Sequence, residues 1–341
     1  MTPENFGVYL DHAATTPLDP AVLAVMEPYL AAAFGNPSSL YRLGQEARAA
    51  VDTARSQAAA VLGCAPGEIL FTSGATESNN LALRGVAWAA RLAAPGNPPP
   101  HIVTTAIEHH AVLHTAESLA LQGFRVTFVQ PDHEGIVSAA AIANAIEPDT
   151  CLVAVMLANN EMGAIQPVAE IAAIAQERGV PLHTDAVQGA GLLSLNVEHL
   201  GVDLMALSAH KFYGPKGVGL LYVRTGTPVD YQQTGGGQEQ GRRGGTENVA
   251  GIAGLGAALH LSDEPQLRRG SQAAWLVAVP LFATAFAVTV NELGLGLGDP
   301  GDRGALLTIA GATFLVALCL WVVSPSYAQV LALAGATVFF G

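Results

Sequence analysis

The chain has 341 residues, a formal net charge of −13 and no block of lysine or arginine. That length is enough for two domains, and the charge argues against a nucleic-acid partner, which needs a basic footprint. Charged residues make up only 13% and mean hydropathy is +0.36, low and high respectively for a soluble protein.

The averages hide a split. Ser271 to Gly341 carries four charges, Glu292, Asp299, Asp302 and Arg303, and the other 39 lie in the first 270 residues. Cys64, Cys151 and Cys319 are far apart and no CxxC occurs, so neither a zinc knuckle nor a disulfide framework is indicated. Met1–Leu10 lacks a basic segment followed by an apolar one, so no signal peptide is expected and the cytoplasm is the default for the first 270 residues. No repeat of 20–50 residues is found.

In chain order, Asp19-Pro20 opens a helical pattern to about Ala33, Gly35–Ser39 is a turn cluster, and Gly44–Leu62 is helical. Glu68–Thr72 is a short strand ending at Ser73-Gly74, and a helix starts at Thr76. Strand His101–Thr105, helix His109–Leu121, strand Phe124–Val129 and helix Ser138–Ile146 follow. Strand Cys151–Leu157, helix Val168–Arg178, strand Pro181–Thr184 and strand Leu204–Ser208 complete the series. This alternation predicts βαβ units and a mostly parallel sheet covered by helices. Ligands of such sheets sit beyond the carboxyl ends of the strands. The polar clusters lie there: Ser73–Thr76, Glu108-His109, Asn159–Glu161, Asp185 and Ser208–Lys211.

The stretch Asp203–Val223 reads as a strand, a polar turn with Ser208, His210 and Lys211, a Gly/Pro loop and a second strand. A lysine at the mouth of a buried strand suits a Schiff base, because its surroundings can lower the amine pKa. Ser208 and His210 beside it could hold a phosphate, and together they suggest pyridoxal 5′-phosphate (PLP). The alternative is a surface turn with a solvated lysine. Ser73–Thr76 joins strand to helix, where backbone N–H groups and the helix dipole form an anion site; an ordinary cap by Thr76 is the other reading. Asp185 could keep a pyridinium nitrogen protonated, with Gln188 reaching the same ring, or it could cap a helix. His109 and His110 could place an imidazole over an aromatic ring or serve as polar residues at a helix start. His110 and His114 at i,i+4 also match metal-ligand spacing, but no HExxH or third ligand is evident.

Residues 8 to 260 closely resemble the cysteine desulfurases, PLP enzymes of aminotransferase class V. The resemblance rests on Tyr9–Pro17, Gly35–Ser39, Phe71–Asn80, Glu108–Leu113, Asn159–Gly163, His183–Gln188, the Lys211 stretch and Gly235–Asn248. It implies the large domain of the type I PLP-dependent transferase fold over residues 1–262. It implies that Lys211 carries the Schiff base and moves the substrate's Cα proton. Asp185 and Gln188 would contact the ring nitrogen and O3′, and His109 would stack on the ring and handle protons. Asn160 would contact cofactor or substrate. Ala75, Thr76, Ser208 and His210 would hold the phosphate, with Thr246 reaching it from the partner subunit of a homodimer. The implied substrate is L-cysteine, and the implied partner is a sulfur acceptor or iron–sulfur scaffold protein.

The resemblance stops near Ala258–Leu261. The family's loop with a nucleophilic cysteine and its carboxylate-binding arginine are not visible, so sulfur transfer is expected to be impaired. Cys319 lies in an apolar run, and Cys64 and Cys151 lack a nucleophile's setting. Ala273–Val290 and Ala305–Val323 are uncharged and long enough to span a membrane, and Ala328–Phe340 begins a third run. Arg268-Arg269 would favour a cytoplasmic amino side. Residues 263–341 are therefore expected to form hydrophobic, membrane-spanning helices, with buried core helices as the alternative. The change looks like a joined or frame-shifted product or a natural tether. The rival function is a membrane protein or transporter fragment fused to an inactive PLP-fold domain.

Overall fold

The computed structural model describes Tyr9 and residues 11–263. The hydrophobic helices expected over 263–341 lie outside the described residues, Asp263 apart. Among the described residues, no helix is long and apolar enough to cross a membrane.

Seven strands form one sheet: β1 (Ile69–Thr72), β2 (His101–Thr105), β3 (Arg125–Val129), β4 (Thr150–Ala154), β5 (Leu182–Asp185), β6 (Leu204–Ser208) and β7 (Gly219–Val223). Their order is β1-β7-β6-β5-β4-β2-β3. β3, β2, β4, β5 and β6 run parallel, and β7 is antiparallel to both its neighbours. The expected mostly parallel sheet is present. β7 reverses because only Ala209–Val218 separates it from β6, too short for a crossover helix.

Period-two alternation sends the strands' side chains to two cores. Ile69, Phe71, Leu220 and Tyr222 face one core, with α2 (Arg42–Leu62), α6 (Val168–Glu177) and α8 (Val249–Asp263). Leu70, Leu221 and Val223 face the other, with α3 (Ala75–Ala93) and α4 (His110–Leu121). β1, β5, β6 and β7 are buried at every position, as strands covered on both faces must be.

Local signals set the helix ends. The Asp19 side chain accepts from Ala21 N at 2.7 Å, and Pro20 supplies a preset φ at the start of α1 (Pro20–Leu30). Ser138 caps α5 (Ala139–Ala145), and Asn196 caps α7 (Val197–Leu200). α8 has no polar face, because it lies against both α1 and α2. Gly256 makes that fit possible: a Cβ there would come within 2.6 Å of the Ala54 backbone.

Several element ends differ from those expected from sequence, and those near the site matter most. β4 ends at Ala154 rather than Leu157, although Val155 N and Leu157 N still donate to His183 O and Asp185 O. α3 starts one residue early, with Gly74 rather than Thr76 as its cap. Asp185 is the last residue of β5 rather than the one after it.

Candidate active site

β1 and the parallel strands point their carboxyl ends to one edge, where an α/β sheet places its ligand. β1 leads through Ser73-Gly74 into α3. Gly74 offers no side-chain cap, so the N–H groups of Ala75, Thr76 and Glu77 keep the open valences of a helix start. The turn rests directly on β7, for a Cβ on Gly219 would lie 2.7 Å from Gly74 Cα. Ser208 sits beside it, 3.9 Å from where a Gly74 Cβ would be. Thr72 Oγ1 and Ser78 Oγ are 2.8 Å apart, and Ser78 Oγ donates to Leu220 O at 2.9 Å. Glu77 steadies the turn from outside: it accepts from Ser73 N at 2.7 Å and from Arg243 Nε at 2.8 Å. The uncapped helix start with Ser208 beside it is an anion cradle.

β5 delivers Asp185 into the interior. One carboxylate oxygen accepts from Asn79 Nδ2 at 2.6 Å and the other from Val187 N at 3.1 Å. Burial pushes this carboxyl up, opposed by those two bonds and by His109 and Lys211. A protonated ring nitrogen is the kind of cation that brings such a group back down. His109 caps α4, its Nδ1 accepting from Ala111 N at 3.1 Å, and the residue is exposed.

Lys211 ends the 3₁₀ turn that follows β6. Its ammonium donates to the carbonyls of Ala13 and Ala14, and Gln188 Nε2 also donates to Ala13 O, at 3.1 Å. Burial pushes the amine down, opposed by Asp11 and Asp185. The segment before α1 thus lies against both residues. It also occupies His210, whose Nδ1 is 3.1 Å from Thr15 Oγ1 while its carbonyl accepts from Thr16 N at 2.8 Å.

The structure therefore brings Ser208 to the Ala75–Thr76 turn, and the coulombic pull of Lys211 and His109 reaches Asp185. Asn160 is half-buried beside Asn159, which builds the loop by accepting from Glu161 N and Met162 N. Thr246 is exposed on the loop that Arg243 ties to Glu77. The His110 and His114 rings stack at 4.7 Å, and among the described residues no group of three potential ligands could hold a metal. Burial pushes the Cys64 and Cys151 thiols up to about 12, so neither is a thiolate near neutrality.

The sequence reading gave no role to Asn79, His183 or the Glu108 carboxyl. Glu108 is fully enclosed. Its Oε1 accepts from Thr105 Oγ1 and Met156 N, both at 2.8 Å, and burial, with the Asp185 charge adding to it, pushes the carboxyl up to about 8. Below about pH 4.5 the group is neutral in folded and unfolded chains. As pH rises toward 8 the unfolded chain ionises first, so stability is lost over that window, by on the order of 3–5 kcal/mol. Glu108→Gln is expected to remove this slope in urea unfolding between pH 5 and 8. Parallel pH profiles for the two proteins would contradict it.

A buried carboxylate, an uncapped helix start and a lysine with a weakened amine define a site suited to a phosphorylated pyridine aldehyde. The aminotransferase class-V family profile matches residues 8–273. A cysteine desulfurase IscS of Dictyoglomus turgidum is 50% identical over 255 residues, covering 75% of this chain and 64% of the relative. The chain thus spans less than two thirds of that relative's length. A solved NifS-like protein is 40% identical with a TM-score of 0.76, over 81% of this chain and 75% of that one. A structure described as SspA in complex with cysteine is 42% identical with a TM-score of 0.71, over 74% and 72%. The chain belongs to the aminotransferase class-V family, whose members here are PLP enzymes.

Proposed function

We propose that this chain carries the cofactor-binding domain, residues 1–262, of a PLP-dependent cysteine desulfurase. The observation that carries the reading is Asp185, buried at the end of β5, with Lys211 half-buried just past the end of the neighbouring β6, beside an uncapped helix start. The likeness to the cysteine complex supports L-cysteine as substrate.

When bound, PLP supplies an electron sink for charge left at the substrate Cα. Ala75 and Thr76 would offer N–H groups to the phosphate with Ser208 beside them, and His210 and, from a second copy, Thr246 would complete the phosphate site. Asp185 would hold a proton on the ring nitrogen, Gln188 would serve O3′, and His109 would lie against the ring. Lys211 would provide the attaching amine and move the proton at Cα, and Asn160 would orient cofactor or substrate. Sulfur abstraction needs an ionised, accessible thiol. Cys64 and Cys151 are partly exposed but not ionised near neutrality, and Cys319 lies outside the described residues. We take the sulfur step to be impaired because neither described cysteine is a thiolate near neutrality.

PLP added to the purified full chain should give a visible absorbance band that L-cysteine perturbs, with little sulfide released under reductant. Absence of the band overturns the cofactor assignment. A persulfide trapped on Cys64 or Cys151 overturns the assignment of the sulfur step.

A further inference from the structure

Three buried side chains form a hydrogen-bonded chain that ends on Asp185. His183 Nε2 lies 2.8 Å from Asn79 Oδ1, and Asn79 Nδ2 donates to Asp185 Oδ2 at 2.6 Å. His183 and Asn79 are 0% exposed and Asp185 5%. Their placement follows from the fold. His183 and Asp185 are two residues apart in β5, so they share a sheet face, and α3 crosses that face carrying Asn79.

The chain has one direction. An ionised carboxylate only accepts, so Asn79 must present Nδ2 to Asp185 and therefore Oδ1 to His183. His183 must then donate, which fixes its proton on Nε2. Burial supports this by pushing the imidazole down to about 3, so it stays neutral. Protonating Asp185 weakens the arrangement, because the acid form is the poorer acceptor.

Resting on the cofactor reading above, we propose that Asn79 and His183 are positioning residues that hold Asp185 ionised and aimed at the ring nitrogen. Neither touches the reacting atoms; both act through Asp185. Val187 N occupies the other carboxylate oxygen, so each oxygen has one fixed donor and the remaining lone pairs are directed. The other titratable groups around Asp185 are His109 at the start of α4 and Lys211 after β6, which favour its charge, and Glu108 after β2, whose own carboxyl is pushed up to about 8 partly by the Asp185 charge and stays neutral while Asp185 ionises.

The test uses the full-length protein and four variants: Asn79→Leu, Asn79→Asp, His183→Leu and His183→Gln. In PLP-loaded protein, the pH midpoint of the visible band is read. Asn79→Leu and His183→Leu are expected to move it by about one unit or more, and Asn79→Asp further, since it sets a second carboxyl beside Asp185. His183→Gln keeps an N–H donor and is expected to stay near wild type, which a merely space-filling role would not predict. Independently of cofactor, ¹⁵N spectra of the histidines are expected to show His183 neutral and protonated on Nε2, and to lose that fixed tautomer in Asn79→Leu. If wild type fails to load PLP, the cofactor reading falls and the tautomer measurement still decides the relay. Unchanged midpoints in both leucine variants, or an unchanged tautomer in Asn79→Leu, would overturn the proposal.

Discussion

Lys211→Ala is expected to abolish the borohydride-sensitive visible band of the PLP-treated protein. It should also lower the rate of proton exchange at the Cα of L-cysteine by on the order of 10²–10⁴-fold from the lost proton transfer alone. The reason is location. The 3₁₀ turn after β6 sets this amine against two main-chain carbonyls and half out of water, where burial shifts it toward its neutral, nucleophilic form. The carbonyls of Ala13 and Ala14 orient the amine without neutralising it, as a carboxylate in the same place would. The variant loses no core contact, so its urea midpoint should stay close to wild type. A variant that keeps the band, measured after dialysis against buffer without PLP, would contradict the role.

Glu239→Ala is expected to destabilise the protein by about 3–5 kcal/mol, the usual result of leaving a buried charge without its partner. Arg55 and Glu239 form a two-pronged pair at 2.9 and 2.7 Å, with side chains 6% and 3% exposed. Both are further committed. Arg55 donates to Ile69 O at 2.6 Å and lies 4.7 Å from the Phe71 ring centroid, and Glu239 accepts from Phe71 N at 3.0 Å. The pair also holds the backbone of Glu239 and Gln240 in the left-handed region, φ 47° and 60°, a conformation that persists only under constraint. Replacing both partners by leucine should cost much less than Glu239→Ala, because no orphaned charge remains. Urea unfolding of the single and double variants checks this. A double variant at least as destabilised as the single one would show that the pair contributes by its charge rather than by mutual compensation.

Local pattern carried much of the fold. His101–Thr105 and Leu204–Ser208 are short runs bounded by Pro, Gly or polar residues, and each becomes a strand with the expected ends, while the second strand expected within Asp203–Val223 is β7. The site was legible to the extent that its residues stand at strand ends, as Asp185, Ser208 and Lys211 do. What periodicity could not supply is pairing across the chain. Arg55 and Glu239 are 184 residues apart, and Asn79 and His183 are 104 apart. In sequence, Asn79 is one more polar residue on a helix, and only the crossing of α3 over β5 shows that it faces inward. The cap of α3 was misplaced for a related reason. Thr76 is the better capping residue by type, but the approach of β7 to the turn puts Gly74 at that position. The carboxyl-terminal hydrophobic runs were plain from composition, yet composition alone does not place them.

In the proposed function Lys211 is the amine that binds PLP. The sequence contains two lysines, Lys211 and Lys216, five residues apart. Borohydride reduction of the PLP-treated full chain, followed by proteolysis and fragment mass analysis, assigns the modified residue directly. A pyridoxyl phosphate increment on Lys211, with Lys216 unmodified, is the predicted result. The increment on Lys216, or on neither lysine under conditions where the domain is folded, would contradict it.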